Sequence, residues 1–358
     1  MANVATRNSY QNNNIILGIE STAHTLGVAI VSDNPPYILA DVRYKYVPQK
    51  GGILPREVAQ FFSLNAGRAV SEALEQAGLD PRELDAIAVA LGPGLGPALR
   101  VGATIGRALA THLRIPLIGV NHAIAHLEIA RALTGLLDPV FLYVSGGNTT
   151  VTSHVGGYYR VFGETLDIAL GNALDTFARE SGIAPPYVKG GRHAIDYCAE
   201  NGAFIEELPY TVKGQDVSFS GLLTASLRAL KKGYKIEDVC YTFREIAYSS
   251  VVEVTERGLA HIGKKQVLTT GGVAASDLLN WKLEKMSEAH NAKFKRIPKR
   301  YAGDNGVMIA LTGLLSLKYG VGIVEPRRAY IRQRWRLDRV PVPWFPDTIP
   351  LWRYTVNA

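Results

Sequence analysis

Cysteine is scarce in this sequence: 358 residues include two, Cys198 and Cys240. Two thiols cannot build a disulfide scaffold, and they are too few and too far apart for a cysteine-based zinc site. Such sparing use fits a reducing cytosol. Long apolar runs are missing too: no stretch of about eighteen uncharged apolar residues occurs, so no membrane span is expected. The opening "MANVATRNSYQNNN" has no apolar core of the kind a signal sequence needs. Together these absences predict a soluble, intracellular, cytoplasmic protein. Two phosphate-binding signatures are also absent. No G-x-x-x-x-G-K-[ST] exists, and no G-x-G-x-x-G follows the first apolar run, which excludes a P-loop and argues against a Rossmann dinucleotide site.

What is present reads as globular. Hydrophobic residues make up 47% and charged residues 20% of a chain long enough for two domains. The formal net charge of +7 suggests a polyanionic partner. Its distribution says more, because "EPRRAYIRQRWRLDRVP" carries Arg327, Arg328, Arg332, Arg334, Arg336 and Arg339, interleaved with Tyr330 and Trp335. Forked guanidinium groups bind phosphates and aromatic rings stack on bases, so the segment suits RNA. A solvated tail, or one docked on its own domain, fits the composition equally well.

Hydrophobic periodicity gives an α/β chain. "IILGIESTAHTLGVAIVSD" reads as strand, small-residue turn, strand, and "PVFLYVSGGNTTVTSHV" repeats the pattern further on. One domain type used twice is therefore expected, with ligands in the cleft between the copies. The boundaries read as a polar lead over 1–14, a first domain over 15–138, a second over 139–304, a helix over 305–322 returning to the first, and a basic tail over 323–358. Three glycine turns, "GIESTAHTLG" (18–27), "VSGGNTT" (144–150) and "TTGGVAAS" (269–276), end predicted strands. Small side chains let backbone N–H groups approach a phosphate, so together the turns read as a nucleotide cradle with a separate adenosine turn.

"GVNHAIAHLEIA" places His122 and His126 four apart on one helical face, where they can share an ion. The protease motif H-E-x-x-H needs a glutamate as general base, and Ala123 stands in that place. Metal ligands and two imidazoles that merely share a face both remain open at this point.

Taken in order, "GIESTAHTLGVAIV", "GPGLGPALRVGATIGRALA", "NHAIAHLE", "YVSGGNT", "VFGETLDIALGNALDTFARE", "DVSFSGLLTA", "TGGVA" and "GDNGVMIA" resemble a known family. It is the universal tRNA threonylcarbamoyladenosine transferases, in their archaeal and eukaryotic branch, the catalytic subunit of the KEOPS complex. The resemblance implies the fold of the acetate and sugar kinases, heat-shock ATPases and actin (ASKHA): two ribonuclease-H-like domains with a nucleotide cleft between them. It implies transfer of a threonylcarbamoyl group from threonylcarbamoyl-adenylate to N6 of the adenosine 3′ of the tRNA anticodon, with AMP leaving. It further implies one divalent metal, iron foremost with zinc or magnesium as alternatives, on His122, His126, Asp304 and Tyr143. Asp304 also reads as a helix N-cap. The implied adenylate contacts are Tyr143, Val144, Ser145, Gly146, Gly147, Asn148 and Thr149, with Asp175 for the ribose or carbamoyl. Gly191 and Asp196 are the equivalents of a P-G-G-plus-acid segment, Gly271, Gly272 and Ser276 form the adenosine turn, and His24 is a phosphate-side contact. Asp175, in a helix beside apolar neighbours, would be costly unpaired, which favours a ligand role. Implied partners are tRNA, a RIO-type kinase and small accessory subunits; a partner contact is sought along "AQFFSLNAGRAVSEAL" (59–74), a helix that core packing explains as well.

The sequence departs from the family pattern in two places. Ser276 replaces an asparagine and lacks the amide's two-sided hydrogen bonding. Leu54, Phe61 and Phe62 replace histidines in "GGILPREVAQFF". Other readings stay open: an ATP-dependent small-molecule kinase of the same fold, or a non-catalytic nucleotide-gated scaffold. No general base is evident.

Overall fold

The computed structural model describes residues 13–48, 52–183, 188–189 and 192–353. The first apolar run forms β1 (Ile15–Glu20), which turns back as β2 (Thr25–Ser32) and β3 (Ile38–Lys45); then come α1 (Pro55–Ala77), β4 (Ala86–Gly92), α2 (Gly96–Leu113), β5 (Leu117–Asn121) and α3 (His122–Thr134). The second cycle is β6 (Val140–Val144), β7 (Thr149–Val155), β8 (Tyr158–Glu164) and α4 (Leu170–Glu180). Two-residue ribbons follow, β9 (Val188–Lys189) with β10 (Arg192–His193), then, after α5 (Ala194–Cys198), β11 (Val212–Lys213) with β12 (Asp216–Val217). The chain continues through α6 (Ser220–Lys231), α7 (Ile236–Ile262), β13 (Gln266–Thr270), α8 (Asp277–Ala289), β14 (Lys293–Arg296), α9 (Lys299–Ala302), α10 (Gly306–Lys318) and β15 (Ile323–Val324).

The two sheets run β15-β5-β4-β1-β2-β3 and β14-β13-β6-β7-β8. Apart from β15 they share one plan: an antiparallel three-strand meander, with two parallel strands added beside its first strand. The repeated strand–turn–strand pattern thus marks a true duplication of the α/β unit. β1, β4 and β6 read as continuous apolar runs because both their faces are covered. β3 and β14 carry no such signal, because "ILADVRYK" and "KFKR" are charged edge strands.

Between the sheets lie α3, buried at every residue, and α10, buried from Gly306 to Ser316. α3 touches β4 and β5 of one sheet and β6, β13 and β14 of the other, and packs along α10. α10 also lies directly on β1. A Cβ at Gly18 would sit 2.3 Å from the Ala310 nitrogen, so that close approach requires glycine. The histidine helix is therefore a shared wall of both units, which fixes its two imidazoles against a rigid frame.

One expectation needs correction, and one open alternative is decided in favour of a tail docked on its own domain. The cysteines are not a pair of reduced thiols: Cys198 and Cys240 are disulfide-bonded, joining α5 to α7. Sequence separation hid their proximity, and their small number no longer speaks for a reducing compartment. Nor is the arginine-rich tail a free arm. Its backbone docks through Arg332 N–H to Leu91 O (2.7 Å), Gly94 N–H to Gln333 O (3.2 Å) and Val342 N–H to Gly157 O (2.9 Å). Farther on, buried Arg131 of α3 clasps it, donating to Pro346 O at 2.5 Å and stacking 4.6 Å from the Phe345 ring centroid. The same guanidinium pairs with buried Glu128 at 2.7 Å. Removing it would strand that carboxylate, at a cost of about 3–5 kcal/mol. Of the substituted histidine places, Phe62 is buried in the first unit's core, Phe61 packs on Tyr46 at 5.8 Å, and Leu54 is exposed ahead of α1.

Candidate active site

Asn121 closes β5 and caps α3, accepting from Ala123 N–H and Ile124 N–H at 3.0 and 3.2 Å. That cap starts the helix at His122 and puts His126 one turn deeper, their rings edge to face with centroids 4.7 Å apart. Opposite stands Asp304. It is not the cap of α10, because Asn305 fills that place by accepting from Met308 N–H at 2.9 Å. Asp304 is thereby free to face the histidines, and its Oδ1 lies 3.2 Å from His126 Nε2 and 3.6 Å from His122 Nε2.

One brace was not foreseen. Glu20, fully buried at the end of β1, accepts from His122 Nδ1 at 2.8 Å through one oxygen. Its other oxygen accepts from the backbone and hydroxyl of Thr22 at 2.6 and 2.5 Å. A proton on Nδ1 leaves Nε2 on the side facing Asp304, the tautomer a metal ligand needs. The signal was in "GIEST", where an acid closes a wholly apolar strand.

The same carboxylates set the charge of the corner, and a cation bound at Nε2 of His122 would displace the second proton that they favour there. Burial would lower His122, yet the carboxylate of Glu20, helped by Asp304, pushes it up to about 9. Burial pushes His126 down. Burial would raise Asp304, but the hydrogen bond with His126 and the charges of His122, His126 and His24 hold it well below the usual carboxylate range. Tyr143 is fully buried, its ring 5.1 Å from that of His126, and burial together with the charge of Asp304 keeps its phenol protonated.

This corner fits a divalent cation. The ligand atoms of His122, His126 and Asp304 all lie within 4.8 Å of one another. Metal–ligand bonds of about 2.0–2.2 Å put neighbouring donors about 3–3.5 Å apart, close to the spacings seen. Two imidazoles and a carboxylate suit iron or zinc better than magnesium. The buried Nδ1 of His126 has no partner among the described residues.

Tyr143 leads into the turn Ser145–Asn148. Asn148 O accepts from Ser145 N–H at 2.8 Å, and Ser145 Oγ accepts from Asn148 N–H at 3.1 Å. Val144 pairs with Thr149 across the hairpin, and Thr149 Oγ1 accepts from Leu170 N–H at 2.8 Å, joining the turn to the start of α4. A Cβ built on Gly146 or Gly147 meets nothing within 4 Å, so the turn faces open space. His24 is partly buried, and burial lowers its pKa against the opposing charges of Asp304, Asp175 and Glu20, which places it near the metal corner.

Asp175 departs from its sequence expectation. Its side chain is 38% exposed and paired with His193 at 3.1 Å, so burial imposes no demand for a ligand. Asp196 is buried, with Arg244 Nη1 4.0 Å from its Oδ1. Ser276 caps α8 by accepting from Leu279 N–H at 3.4 Å, beside Gly271 (φ +94°) and Gly272. Gly191 lies outside the described residues. Arg327, Arg328, Arg332, Arg334, Arg336 and Arg339 are exposed; Arg328 pairs with Glu325, Arg336 with Asp338 and Glu164, and Arg332 lies over Trp335 at 4.7 Å.

Comparison with known proteins then decides the family. Residues 37–311 match the family described as TsaD, tRNA N6-adenosine threonylcarbamoyltransferase. The chain belongs to this family. Relatives carrying that name include one from Aeropyrum pernix, 65% identical over 93% of this chain and 95% of that protein. Another, from Hyperthermus butylicus, is 58% identical over 92% of this chain and 91% of its own length. Two solved structures of low identity show the fold alone. HypF from T. kodakarensis aligns with a TM-score of 0.61 at 16% identity, over 87% of this chain and 48% of that one. The activator of 2-hydroxyisocaproyl-CoA dehydratase from Clostridium difficile, solved with ADPNP, gives 0.51 at 14% identity, over 86% and 97%.

Proposed function

We propose that this cleft transfers a threonylcarbamoyl group from threonylcarbamoyl-adenylate to N6 of the adenosine 3′ of the tRNA anticodon, releasing AMP, with a divalent metal held by His122, His126, Asp304 and Tyr143. The overall activity is that of the family: the chain is a tRNA-modifying transferase. The observation that supports the site is the convergence of both Nε2 atoms on Asp304 Oδ1 beside the open Ser145–Asn148 turn. A bound metal supplies Lewis-acid polarisation of a phosphate or carbonyl oxygen.

The chain itself supplies positioning. In the Tyr143–Thr149 turn the N–H groups of Gly146 and Gly147 face the phosphate, those of Ser145, Asn148, Leu170 and Gly171 being spent on holding the turn to itself and to α4. Gly271, Gly272 and Ser276 hold the adenosine, and Asp196 and Asp175 its polar groups, with His24 on the phosphate side. The N6 amine attacks the carbonyl carbon, the carbon–oxygen bond to phosphate breaks, AMP takes the electron pair, and the amine loses a proton. An acyl-adenylate is already activated, so orientation and charge stabilisation suffice and no nucleophilic side chain is needed.

Iron is the proposed metal. The exposed arginines 327, 328, 332, 334 and 336 are the proposed tRNA contacts. KEOPS subunits, a RIO-type kinase and small accessory proteins, are the proposed partners; Leu64, 77% exposed on α1, supports a contact there. No helix among the described residues is long and apolar enough to cross a membrane, and the cytoplasm is the proposed site of action. The domain division at 138/139 and 304/305 belongs to the same proposal.

The test combines the protein with threonine, bicarbonate, ATP, an adenylate-forming enzyme, partner subunits and unmodified tRNA, and reads the nucleoside by mass spectrometry. Wild type yields the modified nucleoside, and the His122→Ala/His126→Ala variant yields none. No product from wild type, where the Aeropyrum pernix relative works, would sink the proposal.

A further inference from the structure

α7 presents Cys240, Arg244 and Tyr248 at steps of four, which places them along one helical face. That face looks onto α5. Cys240 is bonded to Cys198, and Arg244 reaches toward Asp196, two residues before that cysteine. Beside them lies the adenosine turn, since α7 also packs on α8, which Ser276 caps.

Three buried polar atoms gather here with no well-aligned hydrogen bond among the described residues, Asp196 Oδ1, Arg244 Nε and the Tyr248 hydroxyl, although that hydroxyl lies within reach of both Ser276 and Asp196. Asp196 is 5% exposed and Tyr248 0%. Each buried polar group left unpaired costs about 1–3 kcal/mol, and folded proteins hold few of them. A concentration of three therefore asks for a ligand that brings hydrogen-bonding groups of its own. The carboxylate of Asp196 can only accept. Ser276 Oγ already accepts from Leu279 N–H. Tyr248 can donate and accept, and burial with the nearby charge of Asp196 keeps its phenol protonated. A vicinal diol, with two groups that each donate and accept, complements this set.

We propose that Tyr248 contacts the nucleoside, its hydroxyl hydrogen-bonding a ribose hydroxyl of the adenine nucleotide beside Asp196 and Ser276. Arg244 and the Cys198–Cys240 bond are positioning elements that hold α5 and α7 in register. Tyr248 thus makes up for the amide that Ser276 lacks. The inference rests on the nucleotide-binding part of the proposed function.

Calorimetric titration of AMP and of 2′,3′-dideoxy-AMP into wild type and Tyr248→Phe tests it. The variant binds AMP about 3–10-fold more weakly, the range for losing one neutral hydrogen bond. Its affinity for the dideoxy nucleotide equals that of wild type. Without nucleotide its thermal midpoint stays within about two degrees of wild type, because the hydroxyl removed makes only poorly aligned contacts with Ser276 and Asp196. Equal weakening toward both nucleotides, unchanged AMP affinity, or a midpoint several degrees lower overturns the proposal alone. A wild type that binds neither nucleotide overturns the nucleotide-binding reading and this inference together.

Discussion

The hairpin turn after β1 and the one after β6 occupy equivalent places in the two sheets, yet one is filled and the other open. In the first, Glu20 folds back on Thr22 and braces His122. The loop at Gly94 lies over it, where an added Cβ would come within 2.6 Å of Thr22 O, and Leu95 N–H donates to the same oxygen at 2.7 Å. In the second, Ser145–Asn148 bonds to itself, to the start of α4 and, through Asn148 Nδ2 donating at 3.3 Å, to the Tyr143 hydroxyl, and its two glycines face open space. Duplication provided two equal strand ends. Filling one with a carboxylate turned it into a brace for a metal ligand, and leaving the other as glycine kept room for a phosphate.

Filling the open turn is the most damaging way to erase that difference. Gly147→Val adds a side chain whose Cβ has no protein atom within 4 Å, so the fold is expected to be retained, which the thermal midpoint checks. The bulk enters the space proposed for the adenylate, and kcat/KM for tRNA modification falls about 100-fold, as expected when reacting groups are displaced by an ångström. Full activity in this variant would show that the turn is not the cradle.

Weakening the filled turn comes next. In Glu20→Gln the oxygen facing Thr22 still accepts, which turns the amide NH2 toward His122 Nδ1. That nitrogen then becomes an acceptor and the proton moves to Nε2, the atom facing Asp304. Affinity for iron or zinc, read by titration against a chelator, drops about 10–100-fold, the usual penalty for losing a ligand's supporting partner. Excess metal restores activity. An unchanged metal affinity would leave Glu20 with a purely structural part.

The histidines were legible because a spacing of four is a property of the helix itself. Asp304 was legible only through resemblance, since a residue just before a helix reads equally as a cap, and the cap proved to be Asn305. Glu20 stayed hidden because its partner is 102 positions away. The Cys198–Cys240 bond was hidden in the same way, across a separation of 42. Asp175 misled because apolar neighbours in sequence do not guarantee burial; its helix turns it outward to His193. The docked tail was legible only as one of several readings of its composition, because its partners lie far away in sequence: backbone groups of residues 332, 333, 342 and 346 make distant bonds, and side chains such as Val342, Trp344 and Leu351 are buried in the core.

That tail gives the smallest test, and it bears on the comparison because its backbone helps cover the first turn. Docking and RNA binding are separable, since the anchors are backbone groups and buried side chains while the arginine side chains are exposed. Among the described residues, Arg327 and Arg334 make no ion pair, so Arg327→Ala/Arg334→Ala leaves the docking bonds in place and the thermal midpoint unchanged. If these side chains meet phosphates, tRNA affinity falls a fewfold at low salt, and the slope of log K against log salt flattens by about 1 for each phosphate no longer neutralised. Metal affinity and AMP binding stay at wild-type values. An unaltered slope would confine the tail to covering the first turn and move the search for the tRNA surface elsewhere on the molecule.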